Sequence, residues 1–276
     1  MNQIFCGDAS RLLTRLPAQS VDLIFTSPPY ANQRRKQYPS TPPDQYVDWF
    51  IPIAAELQRV LKSTGTFVLN IKENVVQGER SIYVLKLILA LREQGWLWTE
   101  EFIWHKKNSV PGKWPNRLRD GWERLLQFNK QKKFYMYQEA VMVPIHPSTV
   151  GRMQRLKAAD KILKRMNTGS PFARNLSHWL NKDKVYPCNV LHLATESHNQ
   201  QHCAAFPESL PTWFIQLFTQ KNDMILDPFM GSGTTAVSAI KLSRHFVGID
   251  ISADYCRVAQ HRIQSLPANS AKIIDA

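Results

Sequence analysis

Residues Met224 to Ser252, MILDPFMGSGTTAVSAIKLSRHFVGIDIS, constrain the fold of this chain more than any other stretch. MILDPF is a short apolar run of strand type, Gly231 and Gly233 open a turn, Thr234 to Leu242 has helical spacing, and HFVGID is a second strand ending on Asp250. Strand, glycine turn, helix, strand is one unit of a parallel α/β sheet, because parallel neighbours need a crossover. Gly231-x-Gly233-x-x-Ala236 loosely fits the turn in which glycines let the backbone approach a nucleotide, and an acidic residue ending the next strand accepts from ribose hydroxyls. A Walker phosphate loop is excluded, because G-S-G-T-T lacks the lysine such a site needs.

A second apolar run, Val21 to Tyr30 (VDLIFTSPPY), ends abruptly in a double proline. It reads as a buried strand feeding a loop at its C-terminal end, the end where open α/β sheets place their ligands. Pro28 and Pro29 fix φ twice and remove two N–H donors, which leaves the carbonyls of Ser27 and Pro28 outside any ladder. A hydroxyl, a rigid carbonyl and an aromatic ring then lie within four residues. That set suits a flat substrate with an exocyclic amine: Ser27 Oγ and the Pro28 carbonyl accept its two hydrogens, and Tyr30 stacks on the ring.

Together the two stretches resemble the amino-directed DNA methyltransferases that use S-adenosylmethionine. Thr26 to Tyr30 (TSPPY) matches their catalytic motif, Asp227 to Thr235 (DPFMGSGTT) their methionine-side cofactor loop, and Gly248 to Asp250 (GID) their ribose site. FCGDA at Phe5 to Ala9 looks like the motif whose Asp, here Asp8, meets the adenine amine, and HCAAFPESLPTWFI at His202 to Ile215 looks like the entry to a cofactor-flanking helix. The catalytic motif precedes the glycine loop, as in the family's circularly permuted β group. The resemblance implies a doubly wound, mostly parallel, seven-stranded Rossmann-like sheet. It implies catalytic roles for Ser27, Pro28, Pro29 and Tyr30. Cofactor contacts are implied for Asp8, Ala9, Thr26, Phe206, Pro207, Asp227, Pro228, Phe229, Gly231, Ser232, Gly233, Thr234, Asp250 and Ile251. S-P-P-Y tends to accompany cytosine in the family and D-P-P-Y adenine, so N4 of cytosine is the expected target and N6 of adenine the alternative.

The rest of the chain agrees. Strands at Asn2 to Cys6, Val21 to Phe25, Gly65 to Ile71 and Trp98 to His105 alternate with helices at Ala9 to Leu16, Tyr46 to Leu61 and Ser81 to Gln94. At 276 residues and 43% apolar the chain is long enough for one large core plus an insertion. No signal peptide opens it, and its longest apolar stretch falls far short of the ~20 residues of a membrane helix. The four cysteines have no framework spacing, which points to reduced thiols in a cytoplasmic protein.

Charge indicates the partner. The formal net charge is +13, and His105 to Tyr186 alone holds 18 Lys and Arg against 5 Asp and Glu, leaving 17 against 17 elsewhere. That segment also carries Trp114, Trp122, Phe134, Tyr135, Tyr137, Phe172 and Trp179, with Trp104 just before it, too many aromatics for a disordered tail. Basic residues interleaved with aromatics fit a nucleic-acid-binding insertion. The expected organisation is a catalytic half at 1–105, a basic target-recognition insertion at 106–186 and a cofactor-binding half at 187–276. Within the insertion, Val150 to Arg165 reads as a basic helix. Candidate contacts to double-stranded DNA are Arg34, Arg35 and Lys36 after the catalytic turn, then Lys106, Lys107, Lys113, Arg117, Arg119, Arg152, Arg155 and Lys157. The residues leave open whether the chain forms a homodimer and whether a cognate restriction endonuclease accompanies it.

Three other readings are weaker. Pro187-Cys188 looks like the nucleophile of C5-cytosine methyltransferases, but it precedes the glycine loop where that family places it after. His192, His198, His202 and Cys203 show no ligand pair at zinc spacing, so no metal is expected. A nicotinamide cofactor on the glycine turn has no hydride-accepting site to serve. Methylation of RNA or a protein amide, or binding without catalysis, competes less well with intact motifs and a large basic segment.

Overall fold

The computed structural model describes residues 2–32, 41–109, 112–113, 115–155, 183–195, 206–266 and 272–275. The chain forms two compact units, residues 1–137 with 189–276, and residues 138–188.

The first unit is built on a sheet. Its strands are β1 (Gln3–Cys6), β2 (Val21–Thr26), β3 (Leu61–Ile71), a small hairpin of β4 (Val75–Val76) and β5 (Glu79–Arg80), β6 (Leu97–Lys106) and β7 (Trp122–Asn129). After the second unit, which contains β8 (Val143–Pro144) and β9 (Lys184–Val185), come β10 (Val190–Leu193), β11 (Met224–Asp227), β12 (His245–Asp250) and β13 (Lys272–Asp275). The helices are α1 (Ala9–Leu12), α2 (Tyr46–Val60), α3 (Tyr83–Glu93), α4 (Pro147–Gln154) in the second unit, α5 (Ser209–Phe218), α6 (Thr234–Lys241) and α7 (Ala253–Gln264).

Among the described residues the main sheet has nine strands in the order β10-β6-β7-β3-β2-β11-β12-β1-β13, two more than the seven expected, and the outermost two are short edge strands. All pairings are parallel except those of β7 with β3 and β6. From β2 the chain moves through α2 to β3 on one side, and from β11 it moves through α6 to β12 on the other. The loops after β2 and β11 therefore diverge at a topological switch point, where α/β sheets form a ligand crevice.

Strand alternation explains the two-sided core. Ile24 faces one apolar cluster with Leu12 of α1, Phe50 and Leu57 of α2, Phe67 of β3 and Leu87 of α3. Phe25 points to the other face and meets Phe214 of α5 at a ring distance of 5.4 Å, while Phe102 meets Phe214 at 5.1 Å. Burying Phe214 fully contributes about 2–3 kcal/mol.

Several local expectations shift. The helix expected at Ala9 to Leu16 tightens into a 3-10 turn at Leu13–Arg15. Residues 106–137, grouped by charge with the expected insertion, belong to the sheet unit, and 122–129 supply the antiparallel strand β7. The basic helix expected at Val150 to Arg165 starts earlier as α4 and gives way to a turn at Arg155; residues 156–165 lie outside the described residues.

Candidate active site

The ends of β1, β2, β3, β11 and β12 share one edge of the sheet because those strands are mutually parallel. The antiparallel β7 begins at that edge, and β6 ends there, with His105 paired to Trp122 and Trp104 to Glu123. Ser27 and Pro228, which open the catalytic turn and the glycine loop, follow directly on the strands that end at this edge.

On the glycine-loop side, Asp250 ends β12 with only 5% of its surface exposed. Its Oδ2 accepts from the Gly231 N–H at 2.8 Å and its Oδ1 from the Ser252 N–H at 2.9 Å. Each carboxylate oxygen keeps a further lone pair for a ligand. Burial raises the Asp250 pKa, and the two N–H donors oppose that rise. Gly231 has φ +52° and an added Cβ would meet nothing within 4 Å, whereas at Gly233, φ +81°, it would lie 2.8 Å from Ala259 Cβ. The first glycine thus borders open space and the second permits close packing of α6 on α7. Asp8 is exposed and caps α1 by accepting the Ser10 N–H at 2.8 Å. Ile251 is 51% exposed beside Asp250, and the Arg262 guanidinium donates to the Ser232 carbonyl at 2.7 Å. Phe206 sets its edge on Phe25 at 5.4 Å, Pro207 is buried, and Phe229 packs on Trp49 at 5.7 Å.

Thr26, Asp227 and Thr234, all expected at the cofactor, are buried. The Thr26 hydroxyl is spent on Asp227 at 2.7 Å, and Thr235 and the Phe229 N–H also donate to that carboxylate. Burial pushes the Asp227 carboxyl up to about 6 against these three donors. Asp227 thus knots the start of the glycine loop to the end of the catalytic strand.

On the catalytic side, Tyr46 donates to the Pro29 carbonyl at 3.0 Å and fixes the double-proline turn from α2. Among the described residues nothing donates to the Pro28 carbonyl. Ser27 Oγ donates to the Tyr30 hydroxyl at 3.3 Å, and Tyr30 donates to Glu123 Oε2 at 2.7 Å. Asn70 Nδ2 donates to the same oxygen at 3.2 Å, and Lys106 Nζ meets Glu123 Oε1 at 2.5 Å. Burial first, and the Glu123 charge second, hold the Tyr30 phenol well above its ordinary pKa.

Glu123 and Asn70 went unnoticed in the sequence, because neither lies in a motif and Glu123 is 93 residues from Tyr30. Lys106, expected on DNA, has a side chain only 18% exposed and turns its ammonium inward to Glu123. Arg117 pairs with Asp120 at 3.4 Å, which also holds Lys72 and Arg80. Lys107, Lys113 and Arg119 are exposed, with Arg119 donating to the Ser109 carbonyl. In the second unit Arg155 is exposed and Arg152 lies in α4. Arg34, Arg35, Lys36 and Lys157 lie outside the described residues. So do His198, His202 and Cys203; His192 Nδ1 sits 3.0 Å from His105 Nδ1 on the neighbouring strand.

The chain is 28% identical over 296 residues to the Type II methyltransferase M.PvuII of Proteus hauseri, covering 99% of this chain and 86% of that protein. It is also 28% identical over 286 residues to the DNA adenine methyltransferase YhdJ of Escherichia coli, covering 98% and 85%. The solved PvuII DNA methyltransferase, described as cytosine-N4-specific, superposes with a TM-score of 0.72 at 25% identity, covering 98% of this chain and 88% of that one. A protein of Thermus thermophilus, TTHA0409, solved with S-adenosyl-L-methionine, shares the fold at a TM-score of 0.67 and 21% identity, covering 100% and 99%. The sequence profile of the N6/N4 DNA methylase family matches residues 21–261, and with its motifs gathered on one sheet edge the chain belongs to that family.

Proposed function

We propose that this protein transfers the methyl group of S-adenosylmethionine to N4 of a cytosine in double-stranded DNA, by direct displacement without a covalent enzyme intermediate. The observation that carries this reading is that Ser27 Oγ and a Pro28 carbonyl to which nothing among the described residues donates stand at the switch point, with Asp250 ending β12 on the same sheet edge.

The residues present fit the cofactor. Asp250 offers lone pairs for ribose hydroxyls, Asp8 stands exposed on the neighbouring strand end, and Gly231 borders open space that a side chain would fill. When bound, the cofactor supplies a methyl on a positively charged sulfur.

An exocyclic amine conjugated to its ring is a poor nucleophile. Ser27 Oγ and the Pro28 carbonyl accept its two hydrogens, draw the nitrogen toward sp³ geometry and free its lone pair for in-line attack on the methyl, so that the N–C bond forms as the S–C bond breaks to a neutral thioether and the nitrogen then releases one proton to water. Positioning and oriented dipoles supply most of the acceleration. The base must leave the duplex, at roughly a few kcal/mol, which Tyr30 stacking and basic contacts offset. Exposed Lys107, Lys113, Arg119 and Arg155 are the described candidates for phosphate contacts. A site of this kind acts on chromosomal DNA in a bacterial cytoplasm.

N6 of adenine is the second reading, supported by the equal identity to an adenine methyltransferase. The test is incubation with S-adenosylmethionine and mixed-sequence duplex DNA, digestion to nucleosides and mass spectrometry. N4-methylcytosine is expected; N6-methyladenine alone assigns the adenine reading, and no methylated nucleoside overturns both.

A further inference from the structure

The buried carboxylate of Glu123 has no place in the transfer itself, yet three donors converge on it. Lys106 Nζ meets one oxygen at 2.5 Å, and the Tyr30 hydroxyl and Asn70 amide share the other at 2.7 and 3.2 Å. Its residue is only 7% exposed, so the arrangement is built into the fold. A carboxylate accepts and does not donate.

The consequence propagates along a chain of hydroxyls. Tyr30 has one hydroxyl hydrogen, and Glu123 takes it. Tyr30 oxygen is therefore left as an acceptor, and the Ser27 hydroxyl hydrogen points to it across 3.3 Å. Both lone pairs of Ser27 Oγ are then turned away from its own hydrogen. A serine hydroxyl in isolation is ambivalent, able to donate to a substrate nitrogen or accept from it. Donation to the amine would tie up the lone pair that must attack.

We propose that Glu123, neutralised by Lys106, is a positioning residue that acts through Tyr30 to fix the direction of the hydrogen-bond chain, so that Ser27 meets the target amine only as an acceptor. This rests on the reading of Ser27 as the group that receives the amine. It also gives Lys106 a role distinct from a phosphate contact: its ammonium meets the Glu123 oxygen that Tyr30 and Asn70 leave open. Asn70 completes the set from β3 by occupying the same Glu123 oxygen as Tyr30.

The test uses the full-length protein, tritiated S-adenosylmethionine and mixed-sequence duplex DNA, with Glu123→Gln, Tyr30→Phe, the double variant and Ser27→Ala. A glutamine at 123 can donate to Tyr30 and so reverse the chain, while Tyr30→Phe keeps the ring and removes the relay. Each single change should lower kcat about tenfold or more while the KM for S-adenosylmethionine moves less than about twofold, the pattern of an interaction made in the transition state. The double variant should be no slower than Tyr30→Phe, because both changes cut one chain. Full turnover in Glu123→Gln, or losses that multiply in the double variant, overturns the proposal. If Glu123→Gln fails to fold, Tyr30→Phe decides, and its undiminished kcat overturns the proposal. Ser27→Ala separates the two levels: turnover retained there refutes the reading of Ser27 itself, whereas turnover lost there but kept in the other variants refutes only the role of Glu123.

Discussion

Thr26, the last residue of β2, donates its hydroxyl to Asp227, the last residue of β11, across 2.7 Å in the buried layer between the two strands. The catalytic turn and the glycine loop begin at the next residues, Ser27 and Pro228. One hydrogen bond between residues 201 apart therefore sets the offset between the substrate side and the cofactor side of the crevice. Thr26→Val keeps the shape and removes the donor, leaving Asp227 Oδ1 with only the Phe229 N–H at 3.2 Å. Denaturant unfolding should show a loss of about 1–3 kcal/mol, and calorimetry a weaker S-adenosylmethionine complex. Unchanged stability and affinity would mean that the bond couples nothing.

Asp227 makes a prediction about pH. Its carboxyl is pushed up to about 6 in the folded chain from an unfolded value of 3.8, with burial the leading cause. A raised folded pKa favours the protonated form, so its contribution is fully present below the unfolded value and is lost as pH rises through about 6. Asp227→Asn removes that dependence. The stability of the variant relative to the parent should climb between about pH 4 and pH 7, by up to about 3 kcal/mol, and then level off. Relative stability that falls with pH would show the buried carboxylate to be held ionised.

The two loop glycines should separate binding from folding. A side chain at Gly231 enters open space bordering the crevice, although φ +52° makes the turn costly; at Gly233 it collides with Ala259 at 2.8 Å and φ +81°. Gly231→Val should weaken S-adenosylmethionine binding by about tenfold or more, about 1.4 kcal/mol, with a modest drop in Tm. Gly233→Val should lower Tm by the larger amount, because the packing of α6 on α7 must open. Equal Tm losses together with intact cofactor binding in Gly231→Val would remove the cofactor from this loop.

Basic residues can be sorted by salt dependence. DNA affinity should fall linearly with salt on logarithmic axes, and each phosphate contact removed should flatten the slope by about 0.9. Neutralising exposed Lys107, Lys113 and Arg119 together tests the β6 to β7 loop, and neutralising Arg152, Arg155 and Lys157 tests the second unit. Lys106→Gln should leave the slope unchanged while lowering turnover, because its ammonium faces Glu123. A slope that flattens on Lys106→Gln would place that side chain on a phosphate.

Sequence alone determined the parts of this protein that are local in the chain. The apolar runs at Val21 to Thr26 and His245 to Asp250, the helix spacing after Gly233 and the motif order follow from periodicity and turn chemistry within a few residues, and they were enough to identify an α/β sheet with TSPPY and DPFMGSG at strand ends. Tertiary structure decided which polar groups meet. The basic excess counted between His105 and Tyr186 includes Lys106, Arg117 and Arg124, whose charges are spent on Glu123, Asp120, Glu73 and Glu101. A charge count carries no information about partners, and strand direction provides them here. Because β7 runs antiparallel, its first residues arrive at the edge where the parallel strands end, bringing Glu123 to Tyr30 across 93 residues of chain. Thr26 and Asp227 read as ligand contacts from their motifs, but both point into the interior, because alternation along a buried strand fixes which side its last residue faces.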